Sequence, residues 1–195
     1  RCLSRGLGDV YKRQGEDGPT HQAVEQLTSL RIIPGMSVWR PADVTETAIS
    51  WKASLEKLNG PSSLVLTRQT LPELKRSKAQ IISIKKGGYI LRDCKAKIDA
   101  ILLSSGSEVQ LCLEASKKLK NNGLEVRVVS VPCLEEFLCQ SKSYQNKVIP
   151  ENCNNILAVE AGVGVCWDKL IGKKGKKITM DSFGVSAPGN QALQH

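Results

Sequence analysis

The chain has 195 residues, of which 41% are hydrophobic and 24% are charged, a composition that excludes a collagen-like, coiled-coil or disordered chain. The formal net charge of +9 suggests a polyanionic partner, but only 4% of the residues are aromatic, which leaves few of the stacking surfaces that single-strand binders use. The sequence has no apolar run near the roughly 18 residues of a membrane span. We therefore expect a soluble protein that binds neither nucleic acid nor membrane.

The seven cysteines form no CxxC pair, and none has a histidine within ligand spacing. This pattern argues against a zinc site. Their odd number, their mostly apolar neighbours and the lack of a signal-peptide pattern at the start favour reduced thiols in the cytoplasm. We interpret each cysteine as a small hydrophobic residue of the core.

Residues 1–14 (RCLSRGLGDVYKRQ) have neither helical nor strand periodicity and resemble a translated sequencing adaptor. We interpret them as a non-native tail and exclude them from the fold; the alternative is a native disordered tail. After a glycine-rich turn, Thr20 is a good N-cap for a helix with Val24, Leu27 and Leu30 on one face.

The strongest helical pattern spans residues 42–58. Its apolar residues recur at steps of four and three, which predicts an amphipathic helix: they are Val44, Ala48, Trp51, Leu55 and Leu58. Residues 59–61 (NGP) end this helix, and residues 63–67 are typical of a short buried strand.

Residues 72–86 begin with a proline and are rich in charge, so we interpret them as a linker. Beyond the linker, strand and helix patterns alternate, which predicts a mainly parallel sheet with helices on its faces. The predicted strands are 100–103, 126–131, 156–159 and 177–180, and the predicted helices are 107–120 and 134–144.

His21 is the one histidine besides the terminal His195, and it falls in the first turn of the helix predicted from Thr20. Free backbone N–H groups and the helix dipole favour a neutral imidazole there, next to an anion or an oxygen-rich ligand such as a sugar. Asp17 lies four residues earlier in a glycine-flanked turn, where it could accept a hydrogen bond from a second hydroxyl. The alternative is an ordinary turn in which Asp17 bonds its own backbone.

Arg68 follows the predicted strand 63–67. Open α/β sheets place their ligands at the carboxyl ends of strands, and a guanidinium suits a phosphate because it can donate two parallel hydrogen bonds. The sequence therefore indicates a phosphate site at Arg68, with an ordinary surface arginine as the alternative.

Two glycine-containing turns give weaker signals. Residues 104–108 (SSGSE) connect a strand to a helix and indicate a helix cap at Ser107 rather than a phosphate loop. Residues 162–164 (GVG) are typical of tight packing.

Charged side chains outside these turns are interpreted as solvent-facing. This applies to the lysines of residues 173–177, for which a polyanion site is the alternative. It also applies to the carboxylate pairs on the predicted helices, Asp43/Glu46 and Glu135/Glu136.

Several motifs, in order along the chain, match one enzyme family. They are GEDGPTHQ (15–22), MSVWRPAD (36–43), TAISWK (47–52), TRQTLP (67–72), GGYIL (87–91), SSGSEV (104–109), VRVVSVP (126–132), AVEAG (158–162) and DSFGVSAPGN (181–190). With these motifs the sequence from residue 15 onward resembles the last third of a transketolase.

The resemblance implies an α/β fold in two parts. Residues 15–71 would be the end of a pyrimidine-binding domain, an incomplete parallel sheet of the thiamine-diphosphate fold. Residues 87–195 would be a truncated C-terminal domain with a mainly parallel, three-layer α/β architecture, joined to the first part by the linker 72–86.

The resemblance also implies an activity. Transketolases transfer a two-carbon ketol unit from a ketose phosphate to an aldose phosphate in the cytoplasmic pentose phosphate pathway, using thiamine diphosphate and a divalent metal (Mg) at a homodimer interface. Carried over residue by residue, Asp17 would bind a substrate hydroxyl, His21 would be catalytic and contact the donor near its reacting carbons, and Arg68 would bind the sugar phosphate.

The residues that anchor the cofactor and the metal in this family are missing from the sequence. We therefore expect a fragment truncated at both ends that alone neither binds thiamine diphosphate nor turns over. The alternative is a free-standing C-terminal-type module that mediates dimerisation or regulatory binding without catalysis.

Overall fold

The computed structural model describes residues 23–67, 70–94 and 97–183. The first described helix, α1 (Gln26–Arg31), follows a bend at residues 24–25 and contains the predicted apolar residues Leu27 and Leu30; the predicted start at Thr20 lies outside the described residues. Within the described ranges, no helix is long and apolar enough to cross a membrane.

A β–α–β unit follows α1. Strand β1 (Ser37–Trp39) and strand β2 (Ser62–Leu64) pair in parallel, and helix α2 (Val44–Glu56) connects them. The carboxylate of Asp43 caps α2 by accepting a hydrogen bond of 3.0 Å from the backbone N–H of Glu46. The helix predicted over 42–58 is therefore confirmed, and the predicted strand 63–67 is found one residue earlier and shorter.

The predicted apolar face of α2 lies on the solvent side. All five residues that predicted this face are exposed, and Leu58 retains 93% of its accessible surface. The buried residues of α2 are instead Glu46 and Ser50. The expectation that periodic apolar residues mark the packed face is wrong for this helix.

The predicted linker contains secondary structure of its own. Helix α3 (Lys78–Ile84) begins with a capping box, in which Ser77 and Gln80 each accept a hydrogen bond from the other's backbone N–H. Ile84 is fully buried, and so is the side chain of Arg76. Helix α3 contacts α2 in the first part and the strand Tyr89–Arg92 in the second, although many residues of the segment are exposed.

The second part is built on a five-stranded sheet with the strand order β3-β5-β4-β6-β7. Strand β3 is antiparallel to β5, and all the other pairs are parallel. The strands are β3 (Tyr89–Arg92), β4 (Ala100–Ser104), β5 (Val126–Ser130), β6 (Ile156–Val159) and β7 (Lys176–Ile178). The predicted α/β class with a mainly parallel sheet is confirmed.

The helices of this part cover both faces of the sheet. They are α4 (Glu108–Asn121), α5 (Leu134–Leu138), α6 (Lys142–Val148) and α7 (Asp168–Ile171), with a 3₁₀ turn (Val165–Trp167) before α7. The helix predicted over 134–144 is in fact two helices, because the chain turns after α5 and Ser141 caps α6 by accepting from the N–H of Tyr144.

Alternate residues of β4 lie in two apolar clusters, one on each face of the sheet. Ile101 and Leu103 pack with Phe137 and Trp167, whereas Leu102 packs with Val109 and its neighbours on α4. This two-sided burial is what a sheet covered by helices on both faces requires.

Among the described cysteines, none forms a disulfide. Cys112 and Cys133 are buried, but Cys139 is exposed, so the expected core role holds for only some of them. Burial raises the pKa of the Cys112 thiol to about 11 and also raises the pKa of Cys133. Both thiols are therefore protonated at neutral pH.

Candidate functional site at the carboxyl ends of the strands

Strands from both sheets end close together, and polar side chains follow each of them. Arg40 follows β1, Ser105 follows β4 and Glu160 follows β6. The backbone joins the two sheets here, because the N–H of Gly106 donates to the carbonyl of Arg40 at 2.9 Å. Carboxyl ends of parallel strands are the usual ligand-binding edge of α/β sheets.

Glu160 is the centre of a fully buried network. The guanidinium of Arg31 donates two hydrogen bonds to its carboxylate, at 2.6 and 2.8 Å. The hydroxyl of Ser105 (2.8 Å) and the indole N–H of Trp167 (2.7 Å) donate to the same two oxygens. Burial opposes ionisation, but Arg31, these hydrogen bonds and nearby Arg40 outweigh it and lower the pKa of Glu160 to about 2.

Arg40 lies beside this network and joins it to α4. Its Nη1 donates to the carbonyl of Ser105 at 2.8 Å and forms an ion pair with Glu108. Gly106 has φ +58° and lies against Arg40, and a Cβ on it would come within 2.9 Å of the guanidinium carbon. Glycine at this position therefore permits both the turn and the approach of Arg40.

The turn over residues 104–108 is a helix start, as expected, but it is not capped in the expected way. Ser107 is the N-cap residue of α4, yet its side chain makes no capping bond. Its hydroxyl donates instead to the carboxylate of Glu108 at 2.6 Å. The turn thus helps to hold the partner of Arg40.

A second buried network surrounds Glu46. Its Oε1 accepts hydrogen bonds from the hydroxyls of Tyr89 and Ser130, both at 2.7 Å, and from Arg76 at 3.2 Å. Arg76 also donates to Asp43 at 2.5 Å. The expectation that Asp43 and Glu46 face solvent is wrong, because they attach α2 to the second sheet.

The protonation of this second network is fixed by its own members. Burial and the charge of Glu46 raise the pKa of Tyr89, so its hydroxyl remains a donor to that carboxylate. Burial opposes the charge of Arg76, but its bonds to Asp43 and its other acidic partners raise its pKa overall. Both groups therefore keep these hydrogen bonds across the neutral range.

Glu135 and Glu136 also differ from expectation. Both are partly buried and contact β1: Glu135 accepts from the N–H of Val38 at 3.1 Å, and Glu136 accepts from the hydroxyl of Ser37 at 2.7 Å. The reason is that α5 packs directly against β1, which the sequence pattern did not reveal.

The glycines of residues 162–164 pack tightly, as expected. A Cβ on Gly162 would lie 3.3 Å from the carbonyl oxygen of Val24, and one on Gly164 would lie 2.4 Å from the side chain of Thr179. Val163 donates to the carbonyl of Val24 at 2.9 Å. This turn of the second part therefore packs directly against the segment that precedes α1.

Asp17, His21 and Arg68, which the sequence indicated as the site, lie outside the described residues. The structure does describe the residues just before Arg68. Thr67 and Leu66 line a small cleft at the carboxyl end of β2, opposite Arg40 and Ser107. Thr67, the last described residue before Arg68, therefore lies at the edge where both sheets place their polar side chains.

The described residues offer no cluster of side chains suited to a metal ion. In residues 23–67, 70–94 and 97–183, no three histidine, cysteine or acidic side chains are grouped to hold a metal ion. The carboxylates at this edge, Glu108 and Glu160, form ion pairs with Arg40 and Arg31 respectively.

Comparison with known proteins connects this edge to an enzyme family. Residues 87–195 match the family model for the transketolase-like C-terminal domain, and residues 13–73 match that for the transketolase pyrimidine-binding domain. The chain belongs to the transketolase family.

Individual relatives agree with this assignment. The chain is 46% identical over 180 residues to transketolase 2 of Aliivibrio fischeri. The alignment covers 92% of this chain and 27% of that protein. It is 49% identical over 180 residues to the transketolase of Buchnera aphidicola, again with 92% and 27% covered. The chain thus spans about a quarter of the length of these transketolases.

A solved structure shares the fold over nearly the whole chain. The transketolase of Pichia stipitis, in complex with sedoheptulose-7-phosphate, superposes on this chain with a TM-score of 0.85 at 37% sequence identity. The superposition covers 99% of this chain and 27% of the Pichia stipitis chain. The likeness extends across both parts of the molecule.

Proposed function

We propose that this chain supplies one wall of the sugar-phosphate site of a transketolase, an enzyme that transfers a two-carbon ketol unit from a ketose phosphate to an aldose phosphate in the pentose phosphate pathway. The observation that carries the proposal is the ordered match of the pyrimidine-binding and C-terminal family models along one chain. A related transketolase with bound sedoheptulose-7-phosphate is consistent with sugar phosphates as substrates.

Three residues have roles in this proposal. Arg68 binds the sugar phosphate, since it follows Thr67 at the edge where Arg40 and Ser107 lie and its guanidinium can donate two bonds to a phosphate. His21 is the catalytic contact to the donor, and Asp17 binds a substrate hydroxyl. The last two assignments rest on the GEDGPTHQ motif.

The remaining features belong to the whole enzyme. We assign residues 15–71 to the pyrimidine-binding domain, 72–86 to the connection and 87–195 to the C-terminal domain. In the complete protein we expect thiamine diphosphate, a divalent metal, a homodimer and a cytoplasmic location. The pyrimidine-binding family model supports the first of these.

A chimera tests the proposal directly. Residues 15–183 of this chain would replace the matching part of Escherichia coli transketolase 2, a 46% identical relative. We expect a chimera that depends on thiamine diphosphate and transfers ketol units between sugar phosphates. A folded, dimeric chimera without transfer would contradict the proposal.

Within that chimera, Arg68→Ala tests the phosphate assignment. We expect the KM for phosphorylated sugars to rise about tenfold to a hundredfold, since a charge-assisted pair of hydrogen bonds is lost, while the KM for unphosphorylated sugars stays nearly unchanged. Arg92→Ala is the matched control, because Arg92 is exposed and lies on β3. An equal rise for both kinds of sugar would refute a phosphate role for Arg68.

A further inference from the structure

Arg40 lies where the two parts of the molecule meet, directly after β1. Its backbone N–H donates to the carbonyl of Pro132 at 2.7 Å, and its carbonyl accepts from the N–H of Gly106 at 2.9 Å. Both of its backbone groups are therefore bonded to the second part. On the side of the first part, the preceding carbonyl of Trp39 accepts from the N–H of Val65 at 2.8 Å, which keeps the carboxyl end of β2 beside Arg40.

The side chain of Arg40 is buried and is fixed from the second part. Its Nη1 donates to the carbonyl of Ser105 at 2.8 Å and forms an ion pair with Glu108. Glu108 is itself held at both oxygens, because it accepts from the hydroxyl of Ser107 at 2.6 Å and from the N–H of Ala161 at 3.2 Å. The guanidinium of Arg40 therefore has a defined place relative to the second sheet.

Arg40 also lines the small cleft whose opposite side is formed by Leu66 and Thr67. The volume of this cleft is about 10 Å³, which is close to what one water molecule needs and far below the roughly 300 Å³ at which small-molecule sites begin. A sugar phosphate does not fit into it. Arg40 can therefore influence a substrate through the neighbouring end of β2 rather than by direct contact within this cleft.

The charge of Arg40 is balanced within the protein. Besides its ion pair with Glu108, its Nη1 lies 3.9 Å from a carboxylate oxygen of Glu160. Opposite charges at these distances largely cancel the attraction that a more distant phosphate would feel. The arrangement thus favours a role for Arg40 in geometry over a role as a charge for the substrate.

We propose that Arg40 is a positioning residue for the sugar-phosphate site. Fixed by Glu108, it holds Leu66 and Thr67 in place, and Arg68 directly follows Thr67. This inference rests on the proposed function, in which Arg68 binds the phosphate. Two parallel hydrogen bonds to a phosphate require a defined approach of the guanidinium, so a shift of the strand end weakens them. The second part thereby contributes to phosphate affinity without touching the substrate.

Arg40→Met in the chimera with Escherichia coli transketolase 2 is the first test. Methionine removes the guanidinium but keeps an unbranched side chain that can stay buried. We expect the KM for phosphorylated sugars to rise about threefold to tenfold, while kcat and the KM for unphosphorylated sugars change less than about twofold. An equal rise for both kinds of sugar would overturn the proposal, since it would indicate a general distortion of the enzyme.

Combining Arg40→Met with Arg68→Ala is the second test, because it asks whether Arg40 acts through Arg68. Residues that act through one another are not additive. In the Arg68→Ala chimera we therefore expect Arg40→Met to change the KM for phosphorylated sugars less than about twofold. The same threefold to tenfold rise, on the order of that in the first test, would show that Arg40 acts independently of Arg68 and would overturn the proposal.

Arg76→Met is the matched control. Arg76 is also a buried arginine that pairs with carboxylates, those of Asp43 and Glu46, but it does not line the described cleft at the end of β2. We expect this variant to be less stable and to keep the ratio of the two KM values. A change in that ratio as large as the one caused by Arg40→Met would mean that the loss of any buried arginine produces it, which also contradicts the proposal.

Arg40→Lys keeps the test decisive if Arg40→Met does not fold. Lysine retains the charge that pairs with Glu108 but lacks the planar fork of the guanidinium, so we expect the ratio of the two KM values to rise about twofold or more, and only while Arg68 is present. An unchanged ratio in an active chimera would refute the positioning role alone. An unmodified chimera without ketol transfer would instead contradict the proposed function, and this inference would fall with it.

Discussion

Helices α2 and α4 both have apolar residues at helical spacing, but these residues lie in opposite environments. On α4 the periodic residues Val109, Cys112 and Leu113 are buried against the sheet. On α2 the periodic residues face solvent, with Leu55 77% exposed. Periodicity thus indicated where each helix forms and which face is apolar, but what that face contacts depends on the chain around it.

The difference extends to the two parts of the molecule. The second part has two large apolar clusters, one on each side of its sheet. The first part adds smaller ones, such as Leu27 with Val38 and Val65, and it is attached through the buried carboxylates of Glu46 and Glu160. We therefore expect charge changes to weaken mainly the first part, and apolar truncation to weaken mainly the second.

Arg76→Ala should have the largest effect. It would leave Asp43 and Glu46 buried without their arginine, and removing one partner of a buried pair typically costs about 3–5 kcal/mol. Urea unfolding would measure the loss in the free energy of unfolding. The control is Arg92→Ala, whose side chain is exposed. A loss no larger than that of the control would mean that α2 is not anchored by this network.

Leu113→Ala and Leu55→Ala test the two helix faces directly. Leu113 is 7% exposed, so its truncation should cost about 2–5 kcal/mol, whereas truncation of the exposed Leu55 should stay within about 0.5 kcal/mol. The two variants make the same chemical change, each on one helix, and the readout is again urea unfolding. Similar losses at both sites would show that the α2 face is covered in solution.

Much of the fold could be predicted from local pattern. The strand predicted over 156–159 and the helix predicted over 107–120 agree with the structure to within one residue, because the strand is a continuous apolar run and the helix has apolar residues at helical spacing. Strand β1 was missed because its three residues are too few for a period to show. The helix α3 was hidden by the charges around it, although Ser77 and Gln80 have the spacing of a capping box.

The buried networks could be predicted only in part. Asp43 and Glu46 have the spacing of a helix-capping pair, which predicts hydrogen bonds to the backbone at the start of α2 and not two solvent-facing charges. No local pattern could show that Arg76, thirty residues after Glu46, or Tyr89 would donate hydrogen bonds to these carboxylates. Such contacts depend on how the two parts pack, and the same is true of Arg31 with Glu160. The roles of Asp17, His21 and Arg68 stay predictions.

Acid should weaken the Arg31–Glu160 contact selectively. The pKa of Glu160 is about 2 in the folded protein against an ordinary value of 4.5, so between these values the unfolded chain binds a proton that the folded one does not. The ionised carboxylate of Glu160 therefore contributes roughly 3 kcal/mol to stability above about pH 4.5, and this contribution is lost as the pH falls towards 2. Urea unfolding across this range should show the loss.

Glu160→Gln isolates that contribution, because glutamine does not titrate. Its free energy of unfolding should start lower and fall less steeply with acid than that of the unmodified chain, whereas Glu114→Gln, at an exposed position of α4, should keep the original slope. Hydrogen exchange then separates the two parts: amides of α1 should lose protection at a higher pH than those of β4, whose apolar clusters contain no carboxylate. Loss of protection in both at the same pH would show that the ionic contact and the apolar core unfold as one unit.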